Sequence, residues 1–205
     1  SRSGSKIDFY ATRTIDYEVQ LGGDGEAFAT TNITIRNDAP TDGVPGYVIE
    51  PNVPGYTTGD NVSLVSASCP GPCELVEAHR NDRPIGLTPG EELDRPWFQD
   101  FFTTPGGDET TLSIVTHRDG VWQGNSSGGT YRLIVLPQTT VKPTETTIEI
   151  EAPAGTNVTW TSERMTIDGS RAVWTGVPQG RTEIVVRFRA PAPIRWWRNA
   201  VRALP

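Results

Sequence analysis

The chain has 205 residues, enough for one large β domain or two small ones and for a real hydrophobic core. Its 21 glycines, 17 prolines, single methionine and 35% apolar fraction exclude a helical bundle, and no apolar run reaches the length of a membrane-spanning helix. A net charge of −7 argues against nucleic acid as a partner, although residues 184–205 carry five arginines and no acid.

In chain order, the opening Ser1-Arg2-Ser3-Gly4-Ser5 reads as the start of a piece taken from a longer protein. Residues 13–21 then alternate, with Ile15, Tyr17, Val19 and Leu21 on one side and Asp16, Glu18 and Gln20 on the other. That is the period of a half-buried strand. Gly22-Gly23-Asp24-Gly25 predicts a hairpin turn, and residues 27–36 return with Ala29, Thr31, Ile33 and Ile35 on one face. Shorter strands are expected at 46–50, 61–67, 73–79, 97–103, 110–117 and 130–136, each bounded by turn residues. The Gly/Ser-rich stretch 118–129 reads as a loop. After residue 137 further short strands follow, the clearest carrying Ile184, Val186 and Phe188. The pattern predicts an all-β protein of two β-sandwich, immunoglobulin-like domains in tandem, 1–137 and 138–193. The second is small enough to lean on the first. Residues 194–205 form a basic Arg/Trp tail, with Ile194, Trp197, Val201 and Leu204 at helical spacing.

Cys69 and Cys73 flank Pro70-Gly71-Pro72, a turn that brings the two sulfurs together. A structural disulfide is the leading expectation, with free thiols or a redox pair as alternatives. Such a bridge contributes about 2 kcal/mol on the chain-entropy model and points to an oxidising compartment.

Catalytic patterns are lacking. There is no Gly-x-Ser-x-Gly elbow, no zinc-spaced Cys/His set, no phosphate loop and no dinucleotide fingerprint, so no cofactor or metal is expected. His79 and His117 read as surface histidines, and the acids Glu91, Glu92 and Asp94 as a solvated turn without calcium-loop spacing. The aromatics carry more information. Trp97 and Phe101 share one face of a strand and Phe98 and Phe102 the other, which suits either a strand buried on both sides or a platform that stacks on sugars. Trp122 borders the Gly/Ser loop and is a second stacking candidate. In the tail, Arg195, Trp196, Trp197, Arg198 and Arg202 mix cations with indoles, as peripheral membrane contacts do, or dock their rings on the sandwich. Asn32, Asn61, Asn125 and Asn157 head glycosylation sequons.

Several motifs fall in a familiar order: Lys6-Ile7-Asp8-Phe9-Tyr10, Ile35-Arg36-Asn37-Asp38-Ala39-Pro40, Pro45-Gly46-Tyr47-Val48, Thr58-Gly59-Asp60-Asn61, Leu64-Val65-Ser66, Tyr131-Arg132-Leu133 and Leu136-Pro137-Gln138. Over most of residues 5–190 the chain resembles the C-terminal part of bacterial, largely actinobacterial, envelope proteins known as domain of unknown function 4012. The resemblance implies an extracytoplasmic region anchored through a membrane helix outside this chain. It also implies a central region akin to enzymes that attach glycopolymers to the wall, which this chain does not contain, so no catalytic residue carries over. The Cys69–Cys73 loop and the Arg/Trp tail are not part of that resemblance. The expected role is a non-catalytic accessory or scaffolding region of the cell envelope. Its expected partners are a cell-wall glycan or another envelope protein, with a carbohydrate-binding module using Trp97, Phe101 or Trp122 as the alternative.

Overall fold

The computed structural model describes residues 4–69, 71–92, 95–125 and 127–191. Alternating β-branched and polar residues, cut by Gly, Pro and Asn, give fifteen strands among them. These are β1 (Ala11–Leu21), β2 (Ala27–Asn37), β3 (Asn61–Ser68), β4 (Glu74–Arg80), β5 (Arg83–Pro84), β6 (Thr88–Glu92), β7 (Arg95–Thr104) and β8 (Glu109–Arg118), then β9 (Trp122–Asn125), β10 (Gly128–Val135), β11 (Glu145–Glu151), β12 (Asn157–Thr161), β13 (Thr166–Asp168), β14 (Arg171–Gly176) and β15 (Thr182–Arg189). Two differences from the sequence reading stand out. Pro45 leads into a single helical turn, Gly46–Ile49, where a strand was expected. Trp122–Asn125 pairs with Gly128–Tyr131, so the Gly/Ser-rich stretch carries a strand.

One large sheet has the order β13-β14-β11-β1-β2-β8-β4-β5, beside a four-stranded sheet β12-β15-β10-β9 and a three-stranded sheet β3-β7-β6. The all-β architecture holds. The boundary expected near residue 137 does not separate the sheets, because β11 lies parallel to β1 and β15 pairs with β10. Strand alternation reports which face a residue occupies, not which distant strand it joins, so the sequence pattern looked like two units in series.

Register shows how the layers stack. Val19 opposes Ala29 and Ile150, Tyr17 opposes Thr31 and Ile148, and Thr31 opposes Ile114. Directly opposed residues point to the same face. All these side chains therefore share one face of the large sheet, and Glu18 and Gln20 meet water on the other. The four-stranded sheet covers part of the inner face, burying Val19, Leu21, Ile148, Ile150, Ile184, Val186 and Phe188 between the layers. The three-stranded sheet covers another part, where Phe102 meets Leu112 and Ile114. Arg80 ties these two layers, with Nη2 donating to Asp100 Oδ2 at 2.7 Å and the guanidinium 4.7 Å from the Phe102 ring centroid. Asn37, fully buried at the end of β2, donates from Nδ2 to the carbonyls of Gly59 (2.7 Å) and Thr104 (2.8 Å), and its Oδ1 accepts from the Ala39 amide.

Candidate functional site: a groove between the two smaller sheets

Both small sheets sit on the same face of the large one, and they leave a strip of that face between them. On β1 and β2, Val19, Leu21, Ala27, Ala29 and Ile35 are buried, whereas Ile15, Tyr17, Thr31 and Ile33 are only half-buried. These four belong to the floor of a groove of about 1320 Å³. One wall is β3, from which every residue Ser63–Cys69 lines the space. Successive strand side chains point to opposite faces, so an unbroken run of lining residues means that the strand presents its edge. Indeed, among the described residues β3 pairs only with β7 and ends its sheet. The other wall is Tyr131–Leu136 and the linker that follows. There the pairing with β9 ends at Tyr131, so among the described residues Arg132–Val135 is paired on one side alone, with β15.

Exposed aliphatic side chains stand on both walls, among exposed polar ones such as Ser66, Ser68, Arg132 and Gln138. Leu64 is 48% exposed, Ile134 49%, Leu136 61% and Val141 50%. The charge is opposite to that of the whole chain: five arginines (13, 95, 118, 132 and 181) line the groove against the carboxylates Asp8 and Glu183. Arg13 pairs with Asp8 at 3.3 Å and Arg132 with Glu183 at 2.9 Å. Arg118 donates to the Pro72 carbonyl at 3.2 Å, in the loop closed by the disulfide. Among the described residues Arg95, Arg118 and Arg181 have no carboxylate partner. The Tyr17 and Tyr131 hydroxyls meet at 3.4 Å beneath the wall. Burial pushes both phenols up, Tyr131 well above the ordinary range, while the Arg118 charge opposes this at each.

The residues expected from the sequence to act do not converge here. Cys69 and Cys73 are bridged, with Cα atoms 6.2 Å apart, as expected for a structural disulfide. Trp122 is buried, not a stacking platform. Its Nε1 donates to the Gly22 carbonyl at 3.0 Å, it meets Phe188 edge-on at 5.1 Å, and a Cβ on Gly129 would lie 2.6 Å from its ring. The indole pins the first hairpin to the four-stranded sheet, which a Gly/Ser flank does not reveal. Trp97 is half-buried, with its ring over Gly90 of β6, where a Cβ would collide with it. Phe101 is 39% exposed, while Phe98 and Phe102 are buried, so the strand faces divide as expected. Arg195, Trp196, Trp197, Arg198 and Arg202 lie outside the described residues. Of the sequon asparagines, Asn61 is fully buried, donating to Asp8 and accepting from Ser63.

One cluster offers metal-ligand chemistry among the described residues. His117 Nε2 lies 3.3 Å from Glu26 and 3.7 Å from Asp119, beside the Phe28 ring. Asp119 is almost fully solvated, and the group reads as a surface ion pair that forms when the histidine is protonated.

No protein family matches the chain, and neither does any curated protein. Among solved structures it is similar to an M1 zinc metallopeptidase from Deinococcus radiodurans, with 9% identity and a TM-score of 0.40, over 87% of this chain and 42% of that one. It is also similar to yeast LTA4 hydrolase in complex with bestatin, with 10% identity and a TM-score of 0.49, over 90% of this chain and 30% of that one. The chain thus spans less than half the length of either protein. They lend no residue role or activity to it. No helix among the described residues is long and apolar enough to cross a membrane.

Proposed function

We propose that this chain is a non-catalytic, extracytoplasmic binding or scaffolding region of a cell-envelope protein, and that its working surface is the groove between the two smaller sheets. The groove carries the reading. It holds an apolar floor half open to water, exposed aliphatic side chains on both walls and an excess of arginine in an acidic chain. Such a surface costs solubility, and contiguous exposed apolar patches mark interaction sites. The Cys69–Cys73 bridge supports an oxidising compartment.

The test is a binding panel on the full chain: an oligosaccharide array, anionic vesicles and a random-peptide display library. Each is repeated with a Leu64→Ser/Ile134→Ser variant, both positions being exposed. The expected result is that one probe class binds the chain and is lost with the variant. Binding that ignores the variant, or no binding at all, discards the groove as the working surface.

A further inference from the structure

The groove has a property that a generic apolar cleft lacks. Its walls are unpaired strand edges. Seven consecutive residues of one wall, Ser63–Cys69, line it, and among the described residues no strand lies on their outer side. On the other wall Arg132–Val135 is equally one-sided. A row of unpaired amides and carbonyls is a template for another strand, and proteins normally blunt it with charge, proline or a covering segment. Here β3 has neither charge nor proline: between Asn61 and Ser68 there is no Lys, Arg, Asp, Glu or Pro, and its centre is Leu64-Val65-Ser66-Ala67. At about 3.3 Å per residue the seven-residue edge spans about 20 Å, one ordinary strand.

Charge sets the direction of preference. Arg95 and Arg118 lie where β3 runs into the disulfide loop: the Cys69 amide bonds to the carbonyl of Pro96, and Arg118 reaches Pro72. Arg181 lies at the opposite end, next to Thr182, which opposes Val135. Between them the floor offers Ile15, Tyr17 and Ile33, and the walls Leu64, Ile134 and Leu136. A glycan would be met by flat exposed rings, and the groove walls present aliphatic side chains and backbone.

We infer that the groove takes an extended segment of a partner protein, apolar at its centre and flanked by acidic residues, which adds as a strand to the free edge of β3. This rests on the groove being the working surface. Main-chain hydrogen bonds would hold the segment, and alternate side chains would enter the floor. The flanking acids would meet Arg95 and Arg118 at one end and Arg181 at the other.

The probe is the random-peptide display library panned on the full chain, followed by synthesis of the enriched peptides. These should carry Asp or Glu on both sides of alternating apolar residues. Arg95→Glu and Arg181→Glu, both at exposed positions, should each weaken binding about tenfold. N-methylation of alternate peptide amides should abolish binding with the protein unaltered. Amide exchange of the complex should slow at Ser63–Ser68. Basic or charge-indifferent enriched peptides, no enrichment over the Arg95→Glu/Arg181→Glu chain, or no added protection on β3 would each overturn the inference. If oligosaccharides or vesicles bind through Leu64 and Ile134 while peptides do not, the inference falls and the groove reading stands. If no probe responds to any groove variant, both fall.

Discussion

Tyr17 and Tyr131 show how one hydroxyl pair records the packing of two layers. Their oxygens meet at 3.4 Å, one from the large sheet and one from the four-stranded sheet, and burial holds both phenols above their ordinary value of 10.0. In the unfolded chain the same groups ionise near pH 10. Above that pH the unfolded state releases protons that the folded state keeps, so stability must fall as pH rises. Below it the pair is neutral in both states and its contribution is fully present. Each such group gives a slope of up to about 1.4 kcal/mol per pH unit between its unfolded and folded values. Urea unfolding above pH 10 should show this loss, and Tyr131→Phe should flatten it. A slope that ignores the substitution would mean that the pair is open to water. The inward position of Tyr17 is legible in the alternation of residues 13–21. Its half-burial is not, because a residue facing a groove and one facing a core obey the same period.

Asn37 does for the elements what the tyrosines do for the layers. It sits where β2 ends, and its side chain holds the loop at Gly59 and the end of β7 at Thr104. Asn37→Ala would leave two buried carbonyls without donors, a loss of about 3 kcal/mol in denaturant unfolding. Asn37→Asp should cost at least as much, since a carboxylate accepts and does not donate. A loss under about 1 kcal/mol for either would show that water replaces the amide. Asn37 heads the Asn-Asp-Ala-Pro stretch that ends the second strand, but such a turn motif does not disclose its tertiary partners. The first hairpin was legible for the opposite reason: eleven residues of each strand face each other through a short Gly-rich turn, so local pattern and tertiary structure agree. Trp122–Asn125 was missed because Gly and Ser lower strand propensity, and packing of the indole outweighs that. The groove was not legible at all. It is made of edges, and a strand reads alike in the middle of a sheet and at its margin.

At the scale of the molecule, the two halves share one interior. Of the fourteen buried residues in the main core, eight come from beyond residue 137, among them Ile150, Ile184, Val186 and Phe188. Removing that half strips β1 of its parallel neighbour and leaves Val19, Leu21 and Trp122 facing water. A fragment of residues 1–137 should therefore show no cooperative thermal transition, and residues 138–193 none either, while mixing the two should restore one. Amide protection of the 1–137 fragment equal to that of the full chain would refute this. The parallel pairing has a further consequence, in time. Thr14 lies against Glu145 and Gln20 against Glu151, so β1 must wait for a neighbour about 130 positions later. Closing so long a loop precedes any reward from the contact, which makes assembly slow and keeps apolar strands uncovered meanwhile. Under the extracytoplasmic role proposed above, that delay would keep the polypeptide threadable until its last strands arrive.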